Sequence, residues 1–211
     1  MLGKFLIGSN NYNLDLPESD KDYKIIVIPT FEDLFFNRTL NKQIDEHTSQ
    51  VDYRFFFQKL LKANPNYIEM LFSIEQIFYN EKFSFLFNQF LIFSPSILRA
   101  NWSNFVSAIK GMAHNSMKRT DYEAKMVARC IFFYQLLNKA YKRNGCIYSS
   151  DWRYHNLREI RTNKEALEEA KKHLPKLFNF DEKLQPSNYD YAHIDYLEEE
   201  VKSYFKDYLT K

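Results

Sequence analysis

Two kinds of hydrophobic pattern divide the chain. In the first part, short apolar runs are bounded by turn-forming residues, at residues 5–7 and at the β-branched stretch 23–28. Runs of this length and composition predict strands. A weaker strand is predicted around residues 50–53. We expect the polar stretch before it, residues 37–49, to form a loop or a hairpin.

From residue 54 onward the apolar positions fall three and four apart, which indicates helices. The predicted helices cover residues 54–64, 67–72, 81–93, 102–119, 121–144, 163–173 and 195–209, with a short helix at 30–35 capped by Thr30 and another opened by Pro95 with Ser94 as its cap. We expect Pro65 and Pro175 to end the helices that precede them. The pattern predicts an α+β protein, with a small N-terminal α/β sheet unit over residues 1–75 and a mainly helical body over residues 76–211.

Composition narrows the class of protein. Apolar residues make up 45% and charged residues 27% of the 211 positions, which is typical of a globular chain and not of a disordered one. Four glycines argue against a Gly-rich dinucleotide fingerprint, and two cysteines cannot build a disulfide framework or a four-cysteine zinc site. No apolar run has the length of a membrane span or a signal peptide, so we expect a reduced, cytoplasmic protein.

The charge is unevenly distributed although the net charge is +2. Residues 99–172 carry 15 Lys and Arg against 7 Asp and Glu, and residues 181–200 carry 7 acids against one Lys. A basic middle favours an anionic partner. Solvated helix faces give the same count, so this alternative stays open.

The pattern with the most chemical content joins a Gly-Ser pair to paired aspartates. Gly8 has no Cβ and lets a ligand approach the backbone, while Ser9 adds a hydroxyl suited to phosphate oxygens. Asp20 and Asp22 are two apart at the start of a predicted strand and so share one face. Paired carboxylates together with substrate phosphates suit Mg²⁺. Asp52, between Val and Tyr, is the best candidate for a third carboxylate in a two-metal site.

This pattern resembles that of the polymerase-β-like nucleotidyltransferase superfamily. Residues 8–14 and 17–22 are similar to the motif of its RNA-repair-pathway family, which runs Gly-Ser, Tyr-Gly-Leu, Pro and Ser-Asp-x-Asp. Residues 61–72 resemble that family's Asn-Pro helix junction, and residues 122–129 resemble its later helix with Lys and Arg. The chain departs from the motif at Asn13, where the family has Gly, and at Lys21, where an apolar residue is usual. Asn tolerates left-handed backbone geometry, so the turn at Asn13 can survive.

The resemblance implies a metal-dependent transfer of a nucleoside monophosphate from an NTP to a hydroxyl, with release of pyrophosphate. Asp20 and Asp22 would hold two Mg²⁺ ions, for which Mn²⁺ can substitute, and Asp52 would bind the catalytic ion. Gly8 and Ser9 would hold the triphosphate. The expected acceptor is an RNA 3′ end, with tRNA as one case. The alternatives are a protein or small-molecule acceptor, or a non-catalytic module that binds RNA or a partner.

Lys125 and Arg129 are the predicted further contacts to the triphosphate. They lie four apart on an otherwise apolar helix, and cations on a mostly buried helix favour a nearby anion. Several alternatives remain at this point. Lys125 and Arg129 could form an ion pair with Glu69, Asp121 or Glu123 instead of binding a ligand, and Asp45, Glu46 or Glu69 could replace Asp52 as the third metal ligand. Two further cationic pairs, His114 with Lys118 and Arg158 with Arg161, could lie at the ligand or at the surface.

Overall fold

The computed structural model describes residues 1–118, 123–152 and 157–210. A five-stranded sheet precedes a mainly helical body, which confirms the predicted α+β class. The strands are β1 (Gly3–Ile7), β2 (Asp22–Val27), β3 (Lys42–Gln43), β4 (Thr48–Asp52) and β5 (Gln76–Phe78). The helices are α1 (Phe31–Phe35), α2 (Tyr53–Leu61), α3 (Pro65–Leu71), α4 (Glu81–Ile92), α5 (Ser94–Ala100), α6 (Trp102–Met117), α7 (Glu123–Lys142), α8 (Leu157–Thr162), α9 (Lys164–Lys171), α10 (Leu174–Phe178) and α11 (Asn188–Leu209).

The direction of each strand in the sheet determines which residues can meet. The strand order is β3-β4-β2-β1-β5, with β2 antiparallel to β1 and parallel to β4. Ile7, at the end of β1, lies opposite Asp22, at the start of β2. In the parallel pair, Val27 at the end of β2 lies opposite Asp52 at the end of β4. The start of β2 and the end of β4 therefore lie at opposite ends of the sheet.

The predicted strands are present with shifted bounds. The stretches 5–7 and 23–28 lie in β1 and β2, and the weaker strand begins at Thr48 and pairs with β3 as a hairpin. Strand β5 was not predicted, because three residues are too few to show a period of two. It pairs with β1 and extends the sheet to Phe78, past the predicted unit boundary at residue 75.

Most predicted helices are also present, but their ends differ. The Asn64 side chain caps α3 and Pro65 lies in its first turn, while Pro175 lies in the first turn of α10. Pro has no N–H, and the first turn of a helix needs none, so both residues begin helices. Thr30 caps α1 as predicted, whereas the Ser94 hydroxyl donates to the Leu91 carbonyl and does not cap α5. The predicted end of one helix, Arg119, and the predicted start of the next, Asp121, lie outside the described residues.

Buried side chains from both predicted units join one core that extends from Leu2 to Leu197. Its centre is aromatic: Phe5 stacks on Phe87 with ring centroids 4.8 Å apart. The C-terminal helix closes over this core, since the Tyr53 hydroxyl donates to the Val201 carbonyl at 2.9 Å and the Tyr53 ring stacks on Phe205. No helix among the described residues combines the length and the apolar character that a membrane crossing requires.

Helix α11 begins seven residues earlier than predicted because of a capping box between Ser187 and Asp190. The Asp190 carboxylate is 2% exposed and accepts from Arg99 of α5 at 2.5 and 3.0 Å. Burial acts to raise the pKa of Asp190, but the hydrogen bonds from Arg99 and Ser187 hold it well below its usual range. The acidic helix is thereby fixed against α4 and α5.

Candidate anion and metal site

A cleft of about 110 Å³ opens between the end of β1, the start of β2 and the first turns of α7. Its walls are formed by Gly8, Ser9, Tyr12, Leu14, Asp22, Lys125 and Arg129. Five of these are residues that the sequence analysis proposed as ligand contacts: Gly8, Ser9, Asp22, Lys125 and Arg129. The fold brings them together although more than 100 positions separate the two ends of this set.

A tight turn at Gly8 shapes the floor of the cleft. Gly8 has φ +74°, and its carbonyl accepts from the N–H groups of Asn11 and Tyr12 at 3.0 and 3.2 Å. A Cβ at this position would lie 3.4 Å from Asp22 Oδ2. Glycine is therefore favoured by the left-handed backbone, whereas a Cβ would make only an ordinary contact with the aspartate. Asn13 adopts φ +59°, which confirms that asparagine accommodates the left-handed geometry in place of the family's glycine.

The loop after this turn is fixed by α8. The Arg158 guanidinium binds the Asp15 carboxylate at 2.7 Å, and Arg161 donates to the Leu14 carbonyl. Both arginines were considered as ligand contacts in the sequence analysis. Each has a partner within the loop, so their role in this structure is to hold the wall of the cleft.

The inner wall carries polar atoms without partners. The Tyr12 ring stacks on Phe132 and Trp152, with centroids 4.6 and 5.8 Å away, and its buried hydroxyl has no hydrogen-bond partner. The Arg129 guanidinium lies over the Phe133 ring at 5.5 Å, and its buried Nε also has no partner. Within the described residues, Arg129 forms no ion pair closer than 4.0 Å. The Nε atom of Arg129 is therefore buried and available to an anion.

The paired aspartates lie beside the cleft, and a histidine lies between them. His47 Nδ1 is 3.5 Å from Asp22 Oδ1, and His47 Nε2 is 3.7 Å from Asp20 Oδ2. The parallel pairing of β2 with β4 brings His47 here, since its carbonyl accepts from the Tyr23 N–H at 2.7 Å. Sequence reasoning missed His47, because a single histidine before a weak strand carries no motif.

Lys21 directly precedes β2, and its side chain does not line the cleft. It forms an ion pair with Glu75, and the Tyr23 hydroxyl donates to the same carboxylate at 2.7 Å. These hydrogen bonds from Lys21 and Tyr23 lower the pKa of Glu75. The lysine that departs from the family motif thus points away from the cleft.

Asp52 does not join this site, contrary to its predicted role. It caps α2, accepting from the Arg54 N–H at 2.8 Å, and its carboxylate pairs with Arg54 Nη2 at 2.7 Å. It lies opposite Val27, five positions along β2 from Asp22. At about 3.3 Å per strand residue, this separation is about 16 Å. The spacing of the motif could not reveal the error, because it does not specify whether neighbouring strands run parallel.

Of the alternatives to Asp52, Glu69 lies nearest the cleft. Its side chain, on α3, is 3% exposed and has an unpartnered Oε2. Burial raises the pKa of Glu69 to about 8, although the charge of Arg129 and the Gly8 backbone N–H act in the opposite direction. Asp45 and Glu46 lie in the β3–β4 turn, where Asp45 accepts from the His47 N–H at 2.8 Å.

Within the described part of the chain, no group of three or more His, Cys, Asp or Glu side chains is arranged to hold a metal ion. Comparison of the chain with protein-family models, with curated proteins and with solved structures finds no significant match. The family resemblance therefore depends on the motif residues themselves.

Proposed function

We propose that the protein is a metal-dependent nucleotidyltransferase of the polymerase-β-like type. It transfers a nucleoside monophosphate from an NTP to a hydroxyl acceptor and releases pyrophosphate. The observation that carries this proposal is the cleft itself, in which a glycine turn, a serine and two cations lie beside Asp22. Asp20 lies outside the cleft wall, and His47 lies between it and Asp22. Each part of this set suits one part of a metal-bound triphosphate.

The cations support a polyphosphate ligand. Arg129 lies over Phe133 and forms no ion pair with the residues that the structure describes, so an anion in the cleft would satisfy its buried Nε. Lys125, one helical turn earlier, is exposed at the mouth. The Gly8 turn lets phosphate oxygens approach the backbone. The cleft is small beside typical ligand pockets of roughly 300–1,000 Å³, so it would take the phosphates and leave the nucleoside nearer the surface.

Asp20 and Asp22 fit a magnesium ion that is shared with the phosphates. Mg²⁺ is commonly bound by one or two carboxylates plus substrate phosphates, and the Asp22 carboxylate lies in the cleft wall itself. When bound, the ion would neutralise phosphate charge and favour attack by the acceptor hydroxyl. A second ion held by a third carboxylate is not part of this proposal, because Asp52 lies at the other end of the sheet. Mn²⁺ would substitute for Mg²⁺.

We propose an RNA 3′ end, such as that of a tRNA, as the acceptor, in a cytoplasmic setting. The excess of basic residues over positions 99–172 supports a polyanion partner. Several of these cations are already neutralised, including Arg99 by Asp190 and Arg143 by Asp151. Lys125 and Arg129 of α7 contribute positive charge at the cleft itself.

One observation favours a second candidate, a non-catalytic module that binds a nucleotide or RNA. Among the residues that the structure describes, no third carboxylate joins Asp20 and Asp22 in a group arranged to hold a metal ion, and His47 lies between the two aspartates. A module of this kind would bind an NTP in the same cleft without turnover.

Label transfer tests the two candidates. The full chain is incubated with Mg²⁺, total tRNA and each α-labelled NTP in turn, beside an Asp20→Ala/Asp22→Ala variant. Asp207→Ala, a change at an exposed carboxylate on α11, is the matched control. Label in RNA with the native chain and with the control, but not with the double variant, supports the transferase. Label on the protein or on a small molecule would show that the acceptor is not RNA.

Thermal unfolding separates the remaining outcomes. Ligand that binds the native state raises the melting temperature. A rise with Mg²⁺ and NTP in the absence of transfer to any acceptor supports the binding module. If neither transfer nor stabilisation occurs with any NTP, both candidates are wrong.

A further inference from the structure

Glu69 is a buried acid behind the anion cleft, and the proposed reaction does not use it. It belongs to α3, which packs against β1, and its side chain is 3% exposed. Arg129 and the Gly8 backbone N–H both lie near enough to act on its carboxyl. These same two groups form part of the cleft wall. Glu69 and a ligand in the cleft therefore compete for the same donors, Arg129 and the Gly8 backbone N–H.

The unpartnered atoms indicate that this arrangement is incomplete without a ligand. Glu69 Oε2 and Arg129 Nε are both buried, and neither has a hydrogen-bond partner. A buried carboxylate and a buried guanidinium that do not meet leave both groups poorly compensated. An anion in the cleft would satisfy Arg129, and a proton would neutralise Glu69.

We propose that Glu69 is a positioning residue that serves as the resident counter-anion of the cleft. In the empty cleft its ionised form accepts from the Gly8 backbone N–H and offsets the nearby charge of Arg129 without a direct ion pair. When a phosphate binds, these donors turn to the ligand, and Glu69 in its ionised form takes up a proton from solvent, which it releases when the ligand leaves. This inference depends on the anion-binding part of the proposed function but not on transferase chemistry.

The titration of Glu69 is compatible with this role, since its pKa lies near 8. Other titratable groups face the same region. Lys125 and Cys130 extend from α7, and burial raises the pKa of the Cys130 thiol to about 11. Asp22 and Lys24 extend from β2, and burial lowers the pKa of Lys24 to about 8. Lys24 is therefore the group that must be distinguished from Glu69.

The test measures sulfate affinity between pH 7 and pH 9 by calorimetry, without metal. Sulfate keeps its charge over this range. With one linked proton and a free pKa near 8, the affinity of the native chain falls about tenfold. Glu69→Gln, which stays uncharged, gives an affinity that is nearly independent of pH. Lys24→Met retains the fall. Repeating the titration at pH 8 in buffers of different ionisation enthalpy shows proton uptake by the native chain and none by Glu69→Gln.

A fall of equal size in Glu69→Gln, or a flat profile in the native chain, overturns the inference and leaves the transferase proposal standing. Sulfate binding with the expected pH profile but without nucleotide transfer supports the inference while the transferase proposal fails. If the native chain binds no sulfate at either pH, the anion cleft itself is wrong. Should Glu69→Gln fail to fold, Lys24→Met decides the matter: a fall in affinity and proton uptake retained in this variant support the inference, and their loss overturns it.

Discussion

Asp22 and Asp52 provide the sharpest prediction, because the motif predicts one shared role for them and the structure places them at opposite ends of the sheet. Asp22 lies in the cleft wall, and Asp52 caps α2 about 16 Å away. We expect Asp22→Ala to abolish binding of Mg²⁺ with NTP and to leave the free energy of unfolding almost unchanged. We expect Asp52→Ala to lower the free energy of unfolding and to leave binding of Mg²⁺ with NTP almost unchanged.

The cost of Asp52→Ala follows from its contacts. The variant loses an N-cap that receives the Arg54 N–H at 2.8 Å, and loss of such a cap costs about 1 kcal/mol. It also loses the ion pair with Arg54, whose side chain is 39% exposed, so this pair adds less than about 1 kcal/mol. A total of about 1–2 kcal/mol corresponds to a melting temperature lowered by roughly 2–8 °C in a chain of this size. Asp52→Asn keeps the cap and should lose less.

The assay pairs two measurements on each variant. Thermal unfolding without ligand gives stability, and the shift produced by Mg²⁺ with NTP gives binding. Asp52→Asn serves as the internal control, since asparagine caps helices as well as aspartate does. If Asp52→Asn folds well but loses NTP binding and transfer to the same extent as Asp22→Ala, the separation of the two aspartates is refuted. The relative placement of β2 and β4 would then be wrong.

Three further changes test other parts of the structure. Gly8→Ala should destabilise the fold by about 1–2 kcal/mol, because φ is +74° there, whereas Gly111→Ala, in open space on α6, should stabilise it by about 0.5–1 kcal/mol; urea unfolding of both variants checks this. Asp190→Ala should lower the free energy of unfolding by about 3–5 kcal/mol because it breaks the buried ion pair with Arg99, whereas Asp195→Ala on the same helix should change it by almost nothing. The pKa of Asp190 is lowered in the native state, so its contribution to stability should be lost as the pH falls below the ordinary aspartate range. The pKa of Lys24 is lowered in the native state, so between pH 8 and 10 Lys24 is protonated in the unfolded chain but largely deprotonated in the native one. The free energy of unfolding should therefore rise with pH over this interval relative to that of Lys24→Met, and chemical denaturation at each pH measures this rise.

The helical cations show what the sequence could establish about the site. Lys125 and Arg129 stand out because charges four apart interrupt an apolar helix, and this local pattern needs no knowledge of the partner elements. The same applies to Gly8 and Asp22, whose strands are marked by strong apolar runs. The cleft was predictable to the extent that its residues carry such local signals.

The remainder depended on pairing that no local pattern encodes. The parallel register of β2 with β4 moves Asp52 away from the cleft and brings His47 to the aspartates. Strand β5 forms only because β1 is already beside it, and its three residues have no recognisable period. Glu69 was considered as a metal ligand, but its burial behind Gly8 becomes evident only when α3 packs on the sheet.

The closure of α11 over Tyr53 has a consequence for how the protein is made. As the chain leaves the ribosome, the sheet and α2 emerge about 150 residues before the helix that covers them. Until then the Tyr53 ring lacks its contacts with Val201 and Phe205. Contacts of such long sequence separation slow folding and leave apolar surface open in the meantime. Nascent chains that stop between residues 129 and 201 would therefore be substrates for chaperones or proteases, although they contain every residue of the cleft wall.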